Sequence, residues 1–301
     1  MAGAASTRQL LNDPRILAGA AAGLACAALA TWGFRGLPLG TLLFWLCSLP
    51  LFLAGLSLGG FAAGLGLAVA SAALLLVAGL RGVLVFALAP GLPAVTIVAA
   101  FLSRGRGDLM LPFALLGIWP AVASAASLLL GPDGLEAALA ASVAETLSGS
   151  GVAADPGLVA GLVRVGMAMA GATLSLPLLV CGVAAQRWLV RRGLALRPGP
   201  AWRDARLPRF YLVLPVLAAL LAWVVPEGDT GLLLLTVTAA LLMPVFLQGL
   251  AVIHRRLRGA PLVLFYVCLV VFFLPVLALV VGLGLFEQFG RKPTKPEGQP
   301  R

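Results

Sequence analysis

The chain has 301 residues, 61% of them hydrophobic and only 11% charged, with a mean hydropathy of +1.07. Soluble domains average roughly 45–50% apolar and about 25% charged residues, so a water-soluble globular domain is excluded and lipid must solvate most of this chain. A formal net charge of +10 would point to a polyanionic partner in a soluble protein, but in a membrane chain it records Lys and Arg gathered in particular loops, and no nucleic-acid partner is expected.

Apolar runs of about the 20 residues that a helix needs to cross a bilayer recur along the whole sequence. They predict an all-α fold, a polytopic transmembrane helix bundle of about nine spans, at 16–34, 38–57, 60–79, 82–102, 110–130, 160–186, 210–225, 231–253 and 262–286. A barrel would need short alternating segments instead. Residues 1–15, with Arg8 and Arg15, form a cytoplasmic N-terminus whose positive flank argues for a retained first helix rather than a cleaved signal peptide. Residues 16–286 are read as one transmembrane domain and 287–301 as a disordered tail.

The fourth span contains "FALAPGLPAV", where Pro90, Gly91 and Pro93 interrupt the helix. Each proline removes a backbone donor, which frees carbonyls at membrane depth for a neighbour, water or a ligand. Between the fifth and sixth spans, "GPDGLEAALAASVAETLSGSG" predicts a short amphipathic extracytoplasmic helix near 133–148. Asp133 would cap it, with Glu136 three residues on, and Leu135, Leu139, Val143 and Leu147 make one apolar stripe that faces either the membrane surface or neighbouring loops. The 187–209 loop carries Arg187, Arg191, Arg192, Arg203, Arg206 and Arg209 and suits anionic headgroups or a protein partner. The eighth span closes on "FLQGLAVIHRRLRG": Gln248 and Gly249 lie inside the membrane as contact or ligand candidates, while His254 meets Arg255, Arg256 and Arg258 where the helix exits. Trp32, Trp188 and Trp223 stand near span ends as interfacial anchors.

Loop charges test the span count. With the N-terminus inside, the cytoplasmic loops carry Arg104 and Arg106, the 187–209 arginines, and Arg255, Arg256 and Arg258; the opposite loops carry Arg35, Arg81, Asp133, Glu136, Glu145, Asp155, Glu227 and Asp229. The tail disagrees, since nine crossings put Arg291, Lys292 and Lys295 outside. Either the bias is weak there, or the last segment breaks at Pro275 and does not fully cross; nine crossings is the reading adopted.

No carboxylate sits in the middle of a span, which disfavours proton-coupled transport. With one histidine and no P-loop, H-E-x-x-H or G-x-S-x-G, the chain is not expected to be an enzyme, to hold a cofactor or to bind a metal. Cys26, Cys47, Cys181 and Cys268 read as small buried hydrophobes. Small residues four apart (Gly19 and Gly23, Ala18 and Ala22, Gly55 and Gly59, Gly60 and Gly64) favour close helix packing without naming an interface.

The order of "LPLFLAGLSLGGFAAGLG", "FALAPGLPAV", a basic loop closing on "LPRFYLVLP", and "FLQGLAVIH" resembles the YybS-like family of uncharacterised bacterial inner-membrane proteins, over about Leu37 to Leu285. One departure stands at "LMLPFALLG", where a Tyr-Pro-Gly-like start to the fifth span is expected. The resemblance implies a multi-pass protein of the bacterial inner (plasma) membrane. Its architecture is similar to the substrate-binding subunits of energy-coupling-factor transporters, which capture vitamins or metal ions and depend on a separate ATPase; Ala18 and Ala22 match their alanine-spaced docking pattern. The expected function is therefore a small-molecule-binding membrane subunit without its own ATPase. The alternative is a non-transporting scaffold, similar in role to the rod-shape-determining membrane protein MreD, that recruits partners through its basic loops. Expected partners are membrane lipids, an energising or scaffold membrane complex, and a small molecule of unknown identity.

Overall fold

The computed structural model describes residues 12–103, 109–130, 135–153, 155–199 and 207–290. Among the described residues the regular structure is helical throughout. Helix α1 spans Pro14–Phe34; Pro14 takes the first position and the Asp13 side chain accepts from the Arg15 N–H at 2.8 Å, satisfying a donor that has no partner within the helix. Helices α2 (Gly40–Leu46) and α3 (Ser48–Leu58) meet at Cys47, dividing the span expected at 38–57. Helix α4 (Gly60–Phe86) contains Gly79 at φ 66 and ψ −171, a conformation open to glycine, so the chain bends at the last residue of the expected run 60–79. A π turn at Ala87–Gly91 joins α4 to α5 (Leu92–Ser103), closed by the Leu92 N–H on the Ala87 carbonyl. This wider turn absorbs Pro90, which cannot donate.

Helices α6 (Met110–Leu130), α7 (Leu135–Gly149), α8 (Pro156–Thr173) and α9 (Ser175–Arg192) follow. Asp155 caps α8 through the Leu158 N–H, and Gly193, left-handed at φ 70, closes α9. The sixth expected span, 160–186, is thus longer and is interrupted at Leu174. Its 37 residues would reach about 55 Å at about 1.5 Å per residue, well beyond a hydrocarbon core of about 30 Å. Exposed Arg164, in the first half of that run, fits a segment projecting past the lipid. A 3-10 turn at Arg209–Leu212 leads into α10 (Val213–Val224), then α11 (Gly228–Arg256), α12 (Ala260–Val271) and α13 (Phe273–Gly290). Among the described residues, five helical runs are long and apolar enough to cross a membrane: Pro14–Phe34, Gly40–Leu58, Gly60–Ser103, Pro156–Arg192 and Gly228–Arg256.

The helices form two groups sharing α6 and α9. In the first, α1 packs along α4, with Gly19 against the Ala62 carbonyl and Gly23 against that of Gly66, and α3 fills the space between them and α5. In the second, α11 is the axis, flanked by α6, α8, α10 and α13. Gly171 meets the Thr236 backbone and Gly117 meets Pro244, so small residues set these approaches also. Of the spacings read from sequence, Gly19, Gly23 and Gly55 are interfaces, whereas Gly60 and Gly64 face open space.

Loop contacts define one end of the bundle. The Leu196 N–H reaches the Leu56 carbonyl, and the Arg197 guanidinium donates to the Leu102 carbonyl. At the same arginine-rich end Arg255 pairs with Glu287 at 2.7 Å. That pair corrects the reading of 262–286 as a ninth crossing. A straight helix from 260 to 287 would separate its ends by about 40 Å, yet Glu287 returns to the residue just before the turn from which α12 departs. The break lies at Phe272, three residues before Pro275, and α12 and α13 double back as a hairpin. The charge disagreement of the tail disappears with it.

Two further expectations need correction. Arg187, Arg191 and Arg192 belong to the last turns of α9 rather than to a loop. Glu287 to Gly290 are helical rather than part of a disordered tail. The short amphipathic helix expected near 133–148 is present as α7, beside α8, with Leu139, Val143 and Leu147 half-buried on one face and Ser142, Glu145 and Thr146 exposed; Asp133 lies outside the described residues.

Candidate functional site

The two groups of candidate ligand residues stay apart. Pro90, Gly91 and Pro93 are buried, and the π turn packs against α3, α4, α5 and α6, with Gly91 against Leu67 and Phe86. They line none of the three clefts considered below. Thr96, one turn on, closes on its own helix by donating to the Leu92 carbonyl at 2.8 Å, and Trp119 Nε1 donates to its hydroxyl at 2.6 Å. Gln248 is 5% exposed and its Nε2 donates to Gln288 Oε1 at 2.9 Å, while Gln288 Nε2 donates to the Leu207 carbonyl. A Cβ built at Gly249 would stand 2.0 Å from the Val280 carbonyl oxygen, and one at Gly284 would stand 2.1 Å from that of Val245. Gln248 and Gly249 therefore hold the α13 hairpin against α11. His254 is exposed at the helix exit, with Nδ1 2.9 Å from the Leu250 carbonyl and Nε2 3.1 Å from the Tyr266 hydroxyl.

The cavity that the fold does build lies elsewhere, among α3, α5, α6 and α9 near the arginine-rich end. It encloses about 60 Å³. Its floor is Phe52, Val98, Phe101, Pro112, Phe113 and Leu178, all buried; its rim is Ile97 of α5 with Leu179 and Val183 of α9, half-buried. Among the lining side chains only Gln186 carries a polar atom. This residue is 6% exposed, and its Nε2 donates to the carbonyls of Arg197 at 2.9 Å and Pro198 at 3.4 Å. Two carbonyl acceptors fix which end of the amide is nitrogen. Its Oε1 is buried and has no hydrogen-bond partner.

The sequence placed Gln186 at a span end beside Arg187 and gave it no role. The signal was available: an amide at the end of an apolar run, open to the same argument that singled out Gln248. Leu109, Pro112, Phe113 and Leu116 of the cavity wall fall within "LMLPFALLG", where the chain departs from its family resemblance. Protein-family models, curated proteins and solved structures were compared with the chain. None matches.

Elsewhere, Cys26, Cys47 and Cys181, distant in sequence, converge where α1, α3 and α9 meet. Cys26 Sγ donates to the Cys47 carbonyl at 2.8 Å and Cys181 Sγ lies 3.7 Å from that of Trp45. These three are buried as expected, whereas Cys268, expected to be buried too, is half-buried; among the described residues no group of three His, Cys, Asp or Glu has metal-holding geometry. A second cleft, lined by Ser124, Thr236 and Asp229 between α6, α8 and α11, encloses about 190 Å³. A third, open cleft lies between Arg35 and Arg81. Of the basic surface, Arg187, Arg191, Arg192, Arg256 and Arg258 are exposed, Arg255 is paired, Arg203 and Arg206 lie outside the described residues, and Arg209 opens the 3-10 turn. Trp32, Trp188 and Trp223 are all substantially exposed, with Arg192 5.7 Å over the Trp188 ring.

Proposed function

We propose that this integral membrane protein is a small-molecule-binding subunit that takes its energy from a separate protein. The observation that carries the reading is the apolar cavity with one unpartnered amide oxygen, within a chain whose described residues offer no assembled catalytic or metal cluster. Ligand pockets have this composition, apolar walls with few placed polar groups. The arginine-rich end faces the cytoplasm in this proposal, on the positive-inside bias, in a bacterial inner membrane and within the YybS-like family. A thermal-unfolding screen of the purified protein against lipid-soluble metabolites, vitamins, nucleosides and metal ions tests it. A binder present at 100 times its Kd should add about 2.7 kcal/mol of stability. A broad screen without a shift, together with no copurifying ATPase, sinks the reading.

The exposed arginines Arg187, Arg191, Arg192, Arg256 and Arg258 favour a second reading, a scaffold that recruits partners at its basic end. It expects a stable complex in pull-downs that is lost when Arg191, Arg192, Arg203 and Arg206 are neutralised. An unchanged complex removes it.

A further inference from the structure

We propose that the cavity between α3, α5, α6 and α9 takes the apolar end of a membrane-dissolved molecule bearing one hydrogen-bond donor, a hydroxyl or amide N–H, which binds Gln186 Oε1. The inference rests on the small-molecule reading and names its ligand chemistry.

A buried acceptor without a partner costs about 1–3 kcal/mol, so Oε1 calls for a donor. Water fits poorly there, because an enclosed water typically needs two to four polar partners and every other lining side chain is apolar. A charged ligand fits worse, since no side chain of opposite charge lines the cavity and a lone buried charge is strongly disfavoured. A neutral donor on an apolar body satisfies both walls and oxygen.

Size and opening set the rest. An apolar cavity of about 150 Å³ admits benzene, so 60 Å³ holds only a few heavy atoms and the remainder of the molecule must lie outside. The half-buried rim of Ile97, Leu179 and Val183 gives that remainder a lateral path into the bilayer between α5 and α9. The opposite side is covered by 194–198, fastened by Leu196 to Leu56, by Arg197 to Leu102 and by the Gln186 amide nitrogen. Gln186 thus works at both ends: its nitrogen holds the covering segment and its oxygen receives the ligand.

The test uses the full-length protein in nanodiscs and a pair of photoreactive probes, an eight-carbon alcohol carrying a diazirine and its methyl ether, with adduct sites mapped by mass spectrometry. The alcohol should label residues 109–116 and 178–186 saturably. The ether, which lacks the donor, should need at least fivefold more probe for half-saturation, the ratio given by about 1 kcal/mol of hydrogen bonding. Gln186→Leu should erase the alcohol–ether difference. Because that change also unfastens 194–198, Val183→Trp supplies an independent arm: it keeps Gln186 and blocks the rim, and should abolish labelling by both probes. Equal saturable labelling by alcohol and ether in the unmodified protein overturns the donor rule while leaving a binding cavity. Absence of saturable labelling by either probe overturns the ligand chemistry, while the small-molecule reading stands or falls on the thermal-unfolding screen.

Discussion

Replacing Gly249 by alanine puts a methyl group where the Val280 carbonyl oxygen now sits, 2.0 Å from the new Cβ. Carbon-to-oxygen contacts in packed helices settle at about 3.3–3.6 Å, so α11 and α13 must separate by more than about an ångström. Overpacking of this kind typically costs about 1–3 kcal/mol. The separation also stretches the hydrogen bond between Gln248 and Gln288, and such interhelical bonds in membranes average about 0.6 kcal/mol and reach about 1.7. The expected loss is about 2 kcal/mol, measured by unfolding in mixed micelles of rising SDS fraction and followed by circular dichroism. Gly64→Ala is the control, because the same methyl there meets nothing within 4 Å; it should be neutral or stabilise by up to about 1 kcal/mol through helix propensity. Gly284→Ala should resemble Gly249→Ala, and the double variant should cost less than the sum, since both substitutions break one contact. If Gly249→Ala proves as mild as Gly64→Ala, the close approach of α13 to α11 is refuted.

The hairpin reading makes a topological prediction: in a cysteine-free background, Glu287→Cys and Arg258→Cys should both react with a membrane-impermeant thiol reagent from the same side, and reaction from opposite sides would restore a full ninth crossing. A double-mutant cycle of Gln248→Leu and Gln288→Leu should give a coupling of about 0.6–1.7 kcal/mol, with zero coupling contradicting the hydrogen bond. Tyr211 is buried and its hydroxyl donates to the Leu241 carbonyl at 2.8 Å; Tyr211→Phe should cost about 1 kcal/mol in the same unfolding assay. Because a Cβ at Gly117 would collide with that hydroxyl, Gly117→Ala should be better tolerated in the Tyr211→Phe background than alone.

Hydrophobic run length and loop charge were enough to read the helical class and to put a boundary between the third and fourth spans, where the structure has a bend at Gly79 rather than a loop. They were not enough for the last apolar segment. A run of helix-spanning length looks the same whether it crosses or doubles back, and what decides is the partner of Glu287, a residue the sequence could only assign to the tail. Glycine spacing told equally little, because Gly60 and Gly64 have the same pattern as Gly19 and Gly23 but no helix opposite. The candidate site was half legible. The reasoning that a buried amide must find a partner was sound for Gln248, whose partner turned out to be structural, and it also applies to Gln186. Gln186 was passed over because its neighbours are arginines. Proline at 90 signalled a break correctly, but the backbone resolved it within the chain as a π turn rather than as a place for a ligand.

The returning hairpin bears on how the protein is made. Helix α12 has 12 residues, about 18 Å of helix against a hydrocarbon core of about 30 Å, so it has no stable membrane-spanning state as it emerges from the ribosome. None of its residues is buried against the rest of the protein, and what fixes its position is α13 docked on α11. Entry of this segment into the bilayer is then a late tertiary event, completed only after Gln288 has been synthesised. A nascent chain that stops short of Phe273 would carry an apolar segment with nothing to hold it, a ready substrate for membrane quality-control proteases.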